Sequence, residues 1–171
     1  MIAATANVPA LEGEQYGWPG VSSAIQAACD YYGPVDMERD WSAYFAESGV
    51  KCLPLKRKGH PTMEELEFGN VSAPHLAPLV CPNRYVHPDM PPVLLLHGKS
   101  DCVVPYQHSV LMARRIREVC GEGRAQLLLY PERLHSDREF MDGSSARLAA
   151  GFFARVFRGE PPFVPSQEEA R

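Results

Sequence analysis

Two short apolar runs on either side of an amphipathic stretch constrain the fold of this chain more than any other feature. Residues 92–97 (PVLLLH) and 125–130 (AQLLLY) are continuously apolar and end at Gly98 and Pro131, which is typical of strands covered on both faces. Residues 106–120 predict an amphipathic helix between them, because one face collects its apolar and small residues: Ser109, Met112, Ala113, Ile116 and Cys120. A strand, a helix and a strand in this order predict a right-handed parallel crossover.

Further elements extend this unit at both ends. Residues 25–32 (IQAACDYY) predict another strand, which stops at the Gly33-Pro34 turn. A last helix is indicated by an apolar stripe at helical spacing: Leu148, Ala149, Phe152, Phe153 and Val156. Gly121 follows the first helix, where a left-handed C-terminal cap is expected. We therefore expect an α/β fold with three αβα layers and a short, mostly parallel sheet.

The domain organisation follows from length and local composition. The 171 residues suit one domain, since domains average roughly 150 residues. Residues 37–79 are irregular, with several prolines and a short helical candidate at residues 62–68; we interpret them as a lid-like or ligand-binding excursion above the sheet. Residues 160–171 are expected to form a frayed tail.

Composition excludes several classes of function. The 17 basic and 21 acidic side chains give a net charge of −4, which does not favour nucleic acid as a partner. No apolar run approaches the roughly 20 residues of a membrane span. Residues 1–7 are weakly apolar but lack the basic region and the long apolar stretch of an export signal, so we expect a cytoplasmic protein without a membrane partner. The five cysteines are odd in number and lack a C-x-x-C pair, which argues against a disulfide framework and a zinc site. We expect no metal and no cofactor.

Polar residues that follow the predicted strands are the candidates for chemistry, because open parallel sheets bind ligands at their carboxyl ends. Asp101 follows the second strand and His135 follows the third. A buried carboxylate beside an imidazole fixes its tautomer and stabilises the imidazolium, so that the ring can act as base and then as acid. The alternative is that Asp101 caps the next turn or helix and His135 is an ordinary loop residue.

The order of these motifs resembles that of a known superfamily. Residues 91–159 are similar to the C-terminal part of an α/β-hydrolase, in which a strand ending in His-Gly leads to an Asp, a Val-Pro and a helix. Residues 22–36 (SSAIQAACDYYGPVD) and 72–74 (SAP) resemble its esterase/lipase branch, which is related to acetyl-xylan and feruloyl esterases. The resemblance implies a partial α/β-hydrolase fold, with Asp101 as the triad acid and His135 as the triad base.

The same comparison assigns two further residues and shows one departure. It implies that His97 is the structural residue at the end of the strand and that Asp36 fixes its own turn. The esterase branch usually surrounds its catalytic histidine with glycines, whereas His135 lies between Leu134 and Ser136.

The nucleophile of such a hydrolase is not found in this sequence. A strained G-x-S-x-G turn is required, and the nearest string is residues 20–24 (GVSSA). We reject Ser22, because polar, turn-rich residues 14–19 precede it and a strand follows it. Residues 1–7 and 11–13 resemble the helix and the Glu-Gly loop that follow the nucleophile in the family. We therefore expect the sequence to begin just downstream of the nucleophile.

Two functions remain open at this point. The first is a carboxylic ester hydrolase represented by its acid- and His-bearing C-terminal part, which is inactive alone and takes a small-molecule ester once completed. The alternative is a non-catalytic binding or interaction module on a degenerate hydrolase scaffold. A metal-dependent hydrolase ranks behind both, because the six histidines lack an H-E-x-x-H spacing. A hydrophobic sheet edge left without its neighbour predicts a homo-oligomer, or assembly with a chain that supplies the missing half.

Overall fold

The computed structural model describes residue 8, residues 20–51 and residues 74–161. These residues form three strands, β1 (Ala28–Tyr31), β2 (Val93–Gly98) and β3 (Ala125–Tyr130), and four α-helices, α1 (Trp41–Ser48), α2 (Gln107–Cys120), α3 (Arg138–Met141) and α4 (Ser144–Phe157). Three 3₁₀ helices connect them: Pro74–Val80, Pro82–Tyr85 and Glu122–Arg124.

The three strands form a parallel sheet in the order β1-β2-β3. Strand β2 lies in the centre and all six of its residues are buried, which explains its continuous apolar sequence. Helix α2 makes the crossover from β2 to β3. The predicted α/β architecture with a short parallel sheet is confirmed.

Helices cover both faces of this sheet because successive side chains of a strand point in opposite directions. On one face, Val93 and Leu95 pack against α2 through Met112, Ala113 and Ile116. On the other face, Leu94, Leu96 and Leu128 pack against α3 and α4 through Phe140 and Phe152. Each fully buried side chain of this size stabilises the fold by about 1.5–3 kcal/mol, so the two clusters fix the strand register from both sides.

Strand β1 is shorter than the predicted strand at residues 25–32. Its ladder begins where Ala28 pairs with Val93, and residues further upstream would face Pro91 and Pro92, whose nitrogens carry no hydrogen to donate. It ends before Tyr32, whose φ of 47° takes the chain out of the extended conformation.

The excursion predicted at residues 37–79 contains a helix that periodicity did not reveal. Helix α1 begins after Asp40, whose carboxylate accepts a hydrogen bond from the Ser42 amide, and it ends at Gly49 in the left-handed conformation. Both residue types are standard helix caps, so a capping signal was present in the sequence. The helical candidate at residues 62–68 and most of the predicted frayed tail, residues 162–171, lie outside the described residues.

The predicted left-handed cap at Gly121 is wrong in detail. Its φ is positive, at 96°, but its ψ of 157° places it outside the left-handed helical region. Its amide still donates to the carbonyl of Arg117. The reason is that Gly121 immediately starts the 3₁₀ turn that delivers the chain into β3, and the amide of Arg124 donates to its carbonyl. Within the described residues, no helix is long and apolar enough to cross a lipid bilayer.

Candidate active site

The loops that follow β2 and β3 are joined by their backbones. The amides of Lys99 and Ser100 donate to the carbonyls of Tyr130 and Arg133, at 2.8 and 3.1 Å. Gly98 allows this approach, since a Cβ at its position would lie 2.1 Å from the carbonyl oxygen of Arg133. The carboxyl ends of the two strands therefore present their loops as one rigid surface.

Asp101 is fixed at this surface by four hydrogen-bond donors. It is 1% exposed, and its Oδ1 accepts from the amides of Val103 and Val104 at 2.8 and 2.9 Å. Its Oδ2 lies 2.8 Å from Nδ1 of His135 and 3.2 Å from Nε2 of His97. Burial alone raises the pKa of Asp101, but these donors outweigh it and hold the pKa well below its usual range. The carboxylate is therefore ionised at neutral pH.

His135 is the partner that faces solvent. Its side chain is 26% exposed, whereas that of Asp101 is fully buried. Because the ionised carboxylate can only accept, Nδ1 of His135 carries the hydrogen of this bond. Nε2 then has a free lone pair, which can take a proton from a hydroxyl and later return it. The two residues proposed from the sequence thus lie together at the carboxyl ends of β2 and β3, where they were expected.

His97 lies fully buried at the carboxyl end of β2, and it contacts the acid. Its Nε2 lies 3.0 Å from the carbonyl oxygen of Val104, and its Nδ1 lies 2.7 Å from Oγ of Ser109. Since a carbonyl only accepts, Nε2 carries the hydrogen, and Nδ1 accepts from the Ser109 hydroxyl. A chain of hydrogen bonds thus runs from the partly exposed His135 through Asp101 and His97 to Ser109, and the Nε2 hydrogen of His97 is shared between Val104 and Asp101. No sequence pattern predicted this chain of hydrogen bonds, because His97 is simply the last residue of an apolar run.

Tyr32 is a second neighbour of the pair that sequence reasoning missed. Its ring centroid lies 4.4 Å from that of His135 and 5.1 Å from that of Phe140. The hydroxyl of Ser136 donates to its phenol oxygen at 3.2 Å. Tyr32 immediately follows β1, and this position at the carboxyl end of a parallel strand was the available signal.

The turn after β1 is fastened to α2 by a buried histidine. Nδ1 of His108 accepts from the amides of Val35 and Asp36, at 3.1 and 3.2 Å. Burial lowers the pKa of His108 to about 4, because a charged ring loses its hydration there. The Asp36 carboxylate in turn accepts from the amides of Glu38 and Arg39, so it fixes its own turn as expected.

Ser22, the rejected candidate for the nucleophile, comes before β1 in the chain. It precedes the amino end of β1, whereas Asp101 and His135 follow the carboxyl ends of β2 and β3. Its hydroxyl oxygen accepts from the amide of Ala24. This arrangement agrees with the rejection of Ser22 as the nucleophile.

Potential metal ligands come together once in the described part of the chain, at Asp36, Glu38 and Cys81. The Glu38 carboxylate accepts from the guanidinium of Arg84 at 2.8 Å, and the Cys81 thiol donates to the carbonyl of Ala77 at 3.1 Å. Because these ligand atoms already have protein partners, we assign no ion to this cluster.

Comparison with known proteins gives the family and the fold. The family described as BD-FAE matches residues 1–116. Esterase LipQ of Mycobacterium tuberculosis is 31% identical over 120 residues, which cover 69% of this chain and 25% of LipQ.

Solved esterase structures are similar in fold. A bifunctional GH43-CE protein of Bacteroides eggerthii superposes with a TM-score of 0.64 and 24% identity, over 91% of this chain and 20% of that protein. Esterase 2 of Thermogutta terrifontis, solved after phosphoramylation by tabun, gives a TM-score of 0.58 and 21% identity, over 90% of this chain and 50% of its own. The fold is therefore that of the α/β-hydrolase esterases, and the chain spans a quarter to a half of LipQ and esterase 2.

Proposed function

Because the chain belongs to the BD-FAE family of esterase-like α/β-hydrolases, we propose that it hydrolyses carboxylic esters, with Asp101 as the acid and His135 as the base of a catalytic triad. The observation that carries this proposal is the 2.8 Å contact between Oδ2 of Asp101 and Nδ1 of His135. A hydrogen bond at Nδ1 leaves Nε2 to exchange a proton with a nucleophile.

The reaction follows from this geometry. His135 Nε2 takes the proton of a serine hydroxyl while the serine oxygen bonds to the ester carbonyl carbon. The tetrahedral intermediate expels the alcohol, which leaves with the proton from the imidazolium. Water then attacks the acyl-enzyme by the same route, His135 accepts its proton, and the serine leaves with that proton as the carboxylic acid is released. Asp101 stays ionised throughout and stabilises the imidazolium twice per turnover.

The attacking serine is the part that must be supplied. No G-x-S-x-G is present in the sequence, and loss of a triad nucleophile removes roughly a millionfold of turnover. The chain as printed is therefore inactive alone within this proposal. A serine-bearing segment, encoded before the printed sequence or carried by another chain, completes it.

The place for that segment is the outer edge of β1. Among the described strands, β1 and β3 each pair only with β2, and β1 is the less buried of the two, since all four of its residues are half-buried whereas four of the six in β3 are buried. An unpaired parallel edge of this kind accepts a further strand. The edge fits a serine-bearing half or, in its absence, a second copy of this chain.

We also propose that this enzyme acts in the cytoplasm. The described cysteines, Cys29, Cys81, Cys102 and Cys120, are free thiols. Free thiols are usual in reducing compartments, which supports a cytoplasmic enzyme.

The missing motif also favours a second candidate, a binding or interaction module that retains the hydrolase scaffold without catalysis. The two candidates differ in their response to completion. An ester hydrolase gains activity when the serine-bearing segment is joined to it, and a binding module does not.

The test compares the printed chain with a version extended through the upstream reading frame. The extended protein should hydrolyse p-nitrophenyl acetate and become labelled by a serine-directed phosphonate, whereas the printed chain should do neither. If the upstream frame encodes no G-x-S-x-G, complementation with the serine-bearing half of a LipQ-like relative replaces the extension. Rapid hydrolysis by the printed chain would contradict the proposal that the nucleophile lies outside the printed sequence. An inactive, unlabelled completed protein would favour the binding module.

A further inference from the structure

We infer that Tyr32 is a positioning residue for His135, holding its imidazole in one orientation through ring contact and through a hydrogen bond to the next residue along the chain. The catalytic meaning of this inference rests on the proposed function. The contact itself is a property of the folded chain and can be measured without a nucleophile.

The need for a positioning residue arises from the way His135 is held. Its Nδ1 has one hydrogen bond, to Asp101, and its side chain is partly exposed. A single bond at one ring atom leaves the ring able to pivot about that bond. Proton transfer needs Nε2 within about 3 Å of the hydroxyl and aligned with it, so the ring face must be supported as well.

Tyr32 supplies that support from β1. The centroid of the Tyr32 ring lies 4.4 Å from that of the His135 ring, with an angle of 56° between the ring planes. The Phe140 ring makes a T-shaped contact with the Tyr32 ring, and these two centroids are 5.1 Å apart. Phe140 is buried in the cluster that contains Leu94 and Phe152. The imidazole of His135 therefore contacts an aromatic ring that itself packs against the core. This contact restricts the motion of the imidazole.

A hydrogen bond joins the same tyrosine to the backbone next to His135. The Ser136 hydroxyl donates to the phenol oxygen of Tyr32 at 3.2 Å, and Ser136 has a φ of 55°. This bond links the residue that follows His135 to the end of β1. The Tyr32 ring and its hydroxyl thus act on two consecutive residues of one loop.

The backbone of Tyr32 supports a role for its side chain. Its φ of 47° is a conformation that glycine adopts with ease and that larger residues rarely adopt. Its amide nevertheless donates to the carbonyl of Leu96 at 2.9 Å, which holds Tyr32 against the central strand. A tyrosine in such a conformation is consistent with side-chain contacts that offset the unfavourable backbone.

The positioning role also bears on the charged state of the reaction. During each proton transfer His135 becomes an imidazolium, and the face of an aromatic ring attracts a cation within about 6 Å. The ring contact at 4.4 Å is inside that range. Tyr32 thus stabilises the charged form through its ring, and Asp101 does so through its hydrogen bond with Nδ1.

The first experiment uses the chain alone and follows the Nδ1 proton of His135 by NMR, as a downfield resonance and by its exchange with water. Tyr32→Leu removes the aromatic face, Tyr32→Phe retains it, and Tyr85→Leu is the matched control, since Tyr85 donates to the carbonyl of Leu79 on another part of the surface. We expect exchange about tenfold faster in Tyr32→Leu, a change equivalent to about 1.4 kcal/mol. Tyr32→Phe keeps the ring but loses the hydrogen bond to Ser136, so its exchange rate should lie between those of the wild type and Tyr32→Leu. Tyr85→Leu should stay close to the wild type.

The second experiment uses the completed enzyme and the same three variants. Tyr32→Leu should lower kcat by about tenfold to a hundredfold with little change in KM, because misorientation affects the chemical step, and Tyr32→Phe should restore most of it. Amide spectra of β2 and β3 report whether the fold is intact. If Tyr32→Leu unfolds, Ser136→Ala breaks the same hydrogen bond as Tyr32→Phe, and both should show faster exchange than the wild type.

Unchanged exchange and unchanged kcat in a folded Tyr32→Leu protein would overturn the inference. A completed wild-type protein without esterase activity would overturn the proposed function while faster exchange in Tyr32→Leu would still support the positioning contact. A completed protein that hydrolyses esters, but whose exchange and kcat are the same in Tyr32→Leu as in the wild type, would support the proposed function and overturn the positioning role of Tyr32.

Discussion

Nε2 of His97 lies 3.2 Å from Oδ2 of Asp101, the same oxygen that accepts the hydrogen bond of His135. One carboxylate oxygen is therefore held between a fully buried histidine and a partly exposed one. The buried histidine fixes the position of the acid, and the exposed one is free to exchange protons at its other nitrogen. This division explains how a loop aspartate becomes a rigid, ionised group.

Replacing His97 should destabilise the protein more than replacing Ser109. His97→Leu leaves the Ser109 hydroxyl and the Val104 carbonyl without their buried partner, which costs about 2 kcal/mol or more. Ser109→Ala, the matched control, removes a single hydrogen bond worth about 1 kcal/mol. Urea unfolding measures both free energies. A His97→Leu protein as stable as the wild type would show that the chain of hydrogen bonds contributes little.

Asp101→Asn should lower kcat of the completed enzyme by about ten-thousandfold, with its fold preserved. The amide has nearly the shape of the carboxylate, but it bears no charge to stabilise the imidazolium and can favour the wrong tautomer of His135. Steady-state kinetics on p-nitrophenyl acetate measure the change, and circular dichroism checks the fold. A loss of less than tenfold would show that Asp101 is a structural turn residue.

Protonation of His108 should weaken the fold between about pH 6.5 and pH 4. The unfolded histidine has a pKa near 6.5, whereas burial lowers the pKa of the folded one to about 4. The unfolded state therefore binds more protons in this window, and stability falls as the pH falls through it. The difference between these two pKa values corresponds to about 3 to 4 kcal/mol at most, and the full loss is reached only below pH 4.

His108→Asn provides the control for this prediction, because its amide oxygen can accept from the same backbone amides and does not titrate. Urea unfolding at a series of pH values should show a smaller loss of stability between pH 6.5 and 4 in the variant. Asp101 acts in a different window: its lowered pKa adds stability above the ordinary pKa of about 3.9, and that stability is lost below it. Equal slopes for wild type and His108→Asn above pH 4 would contradict the assignment.

Gly98→Ala should disturb the site through the backbone. The added Cβ would lie 2.1 Å from the carbonyl oxygen of Arg133, so the loops that carry Asp101 and His135 must separate, at a cost of about 1–3 kcal/mol. Gly123→Ala is the control, since nothing lies within 4 Å of its added Cβ. Thermal unfolding should show a lower Tm for Gly98→Ala and little change for Gly123→Ala. Equal Tm values for the two variants would contradict the close approach.

The sequence predicted those parts of the fold that depend on local apolar patterns. Strand β3 has the predicted bounds, β2 is shifted by one residue at both ends, and α2 begins one residue later than predicted. Long apolar or amphipathic runs are predicted well because their burial depends on the local pattern. The ends of β1 were less accurate, since they depend on the prolines that face it and on the backbone of Tyr32.

The candidate site was predicted only in part. Asp101 and His135 were proposed because each follows a predicted parallel strand and because the resemblance to α/β-hydrolases implies a triad acid and base at these positions, and the structure brings their side chains into contact. The contacts of His97, His108 and Tyr32 were missed, since each joins residues that lie far apart in the sequence or depends on a side-chain orientation that no local pattern encodes. Helix α1 could have been found from its two caps, although its apolar residues form only a weak stripe.

The most direct test of the central claim is kcat for ester hydrolysis by the completed enzyme with and without His135→Ala. If His135 exchanges the proton of the serine, turnover should fall by roughly a millionfold, to the residual level left when a triad member is removed, while the variant remains folded. A His135→Ala enzyme that hydrolyses p-nitrophenyl acetate at the wild-type rate would contradict the account.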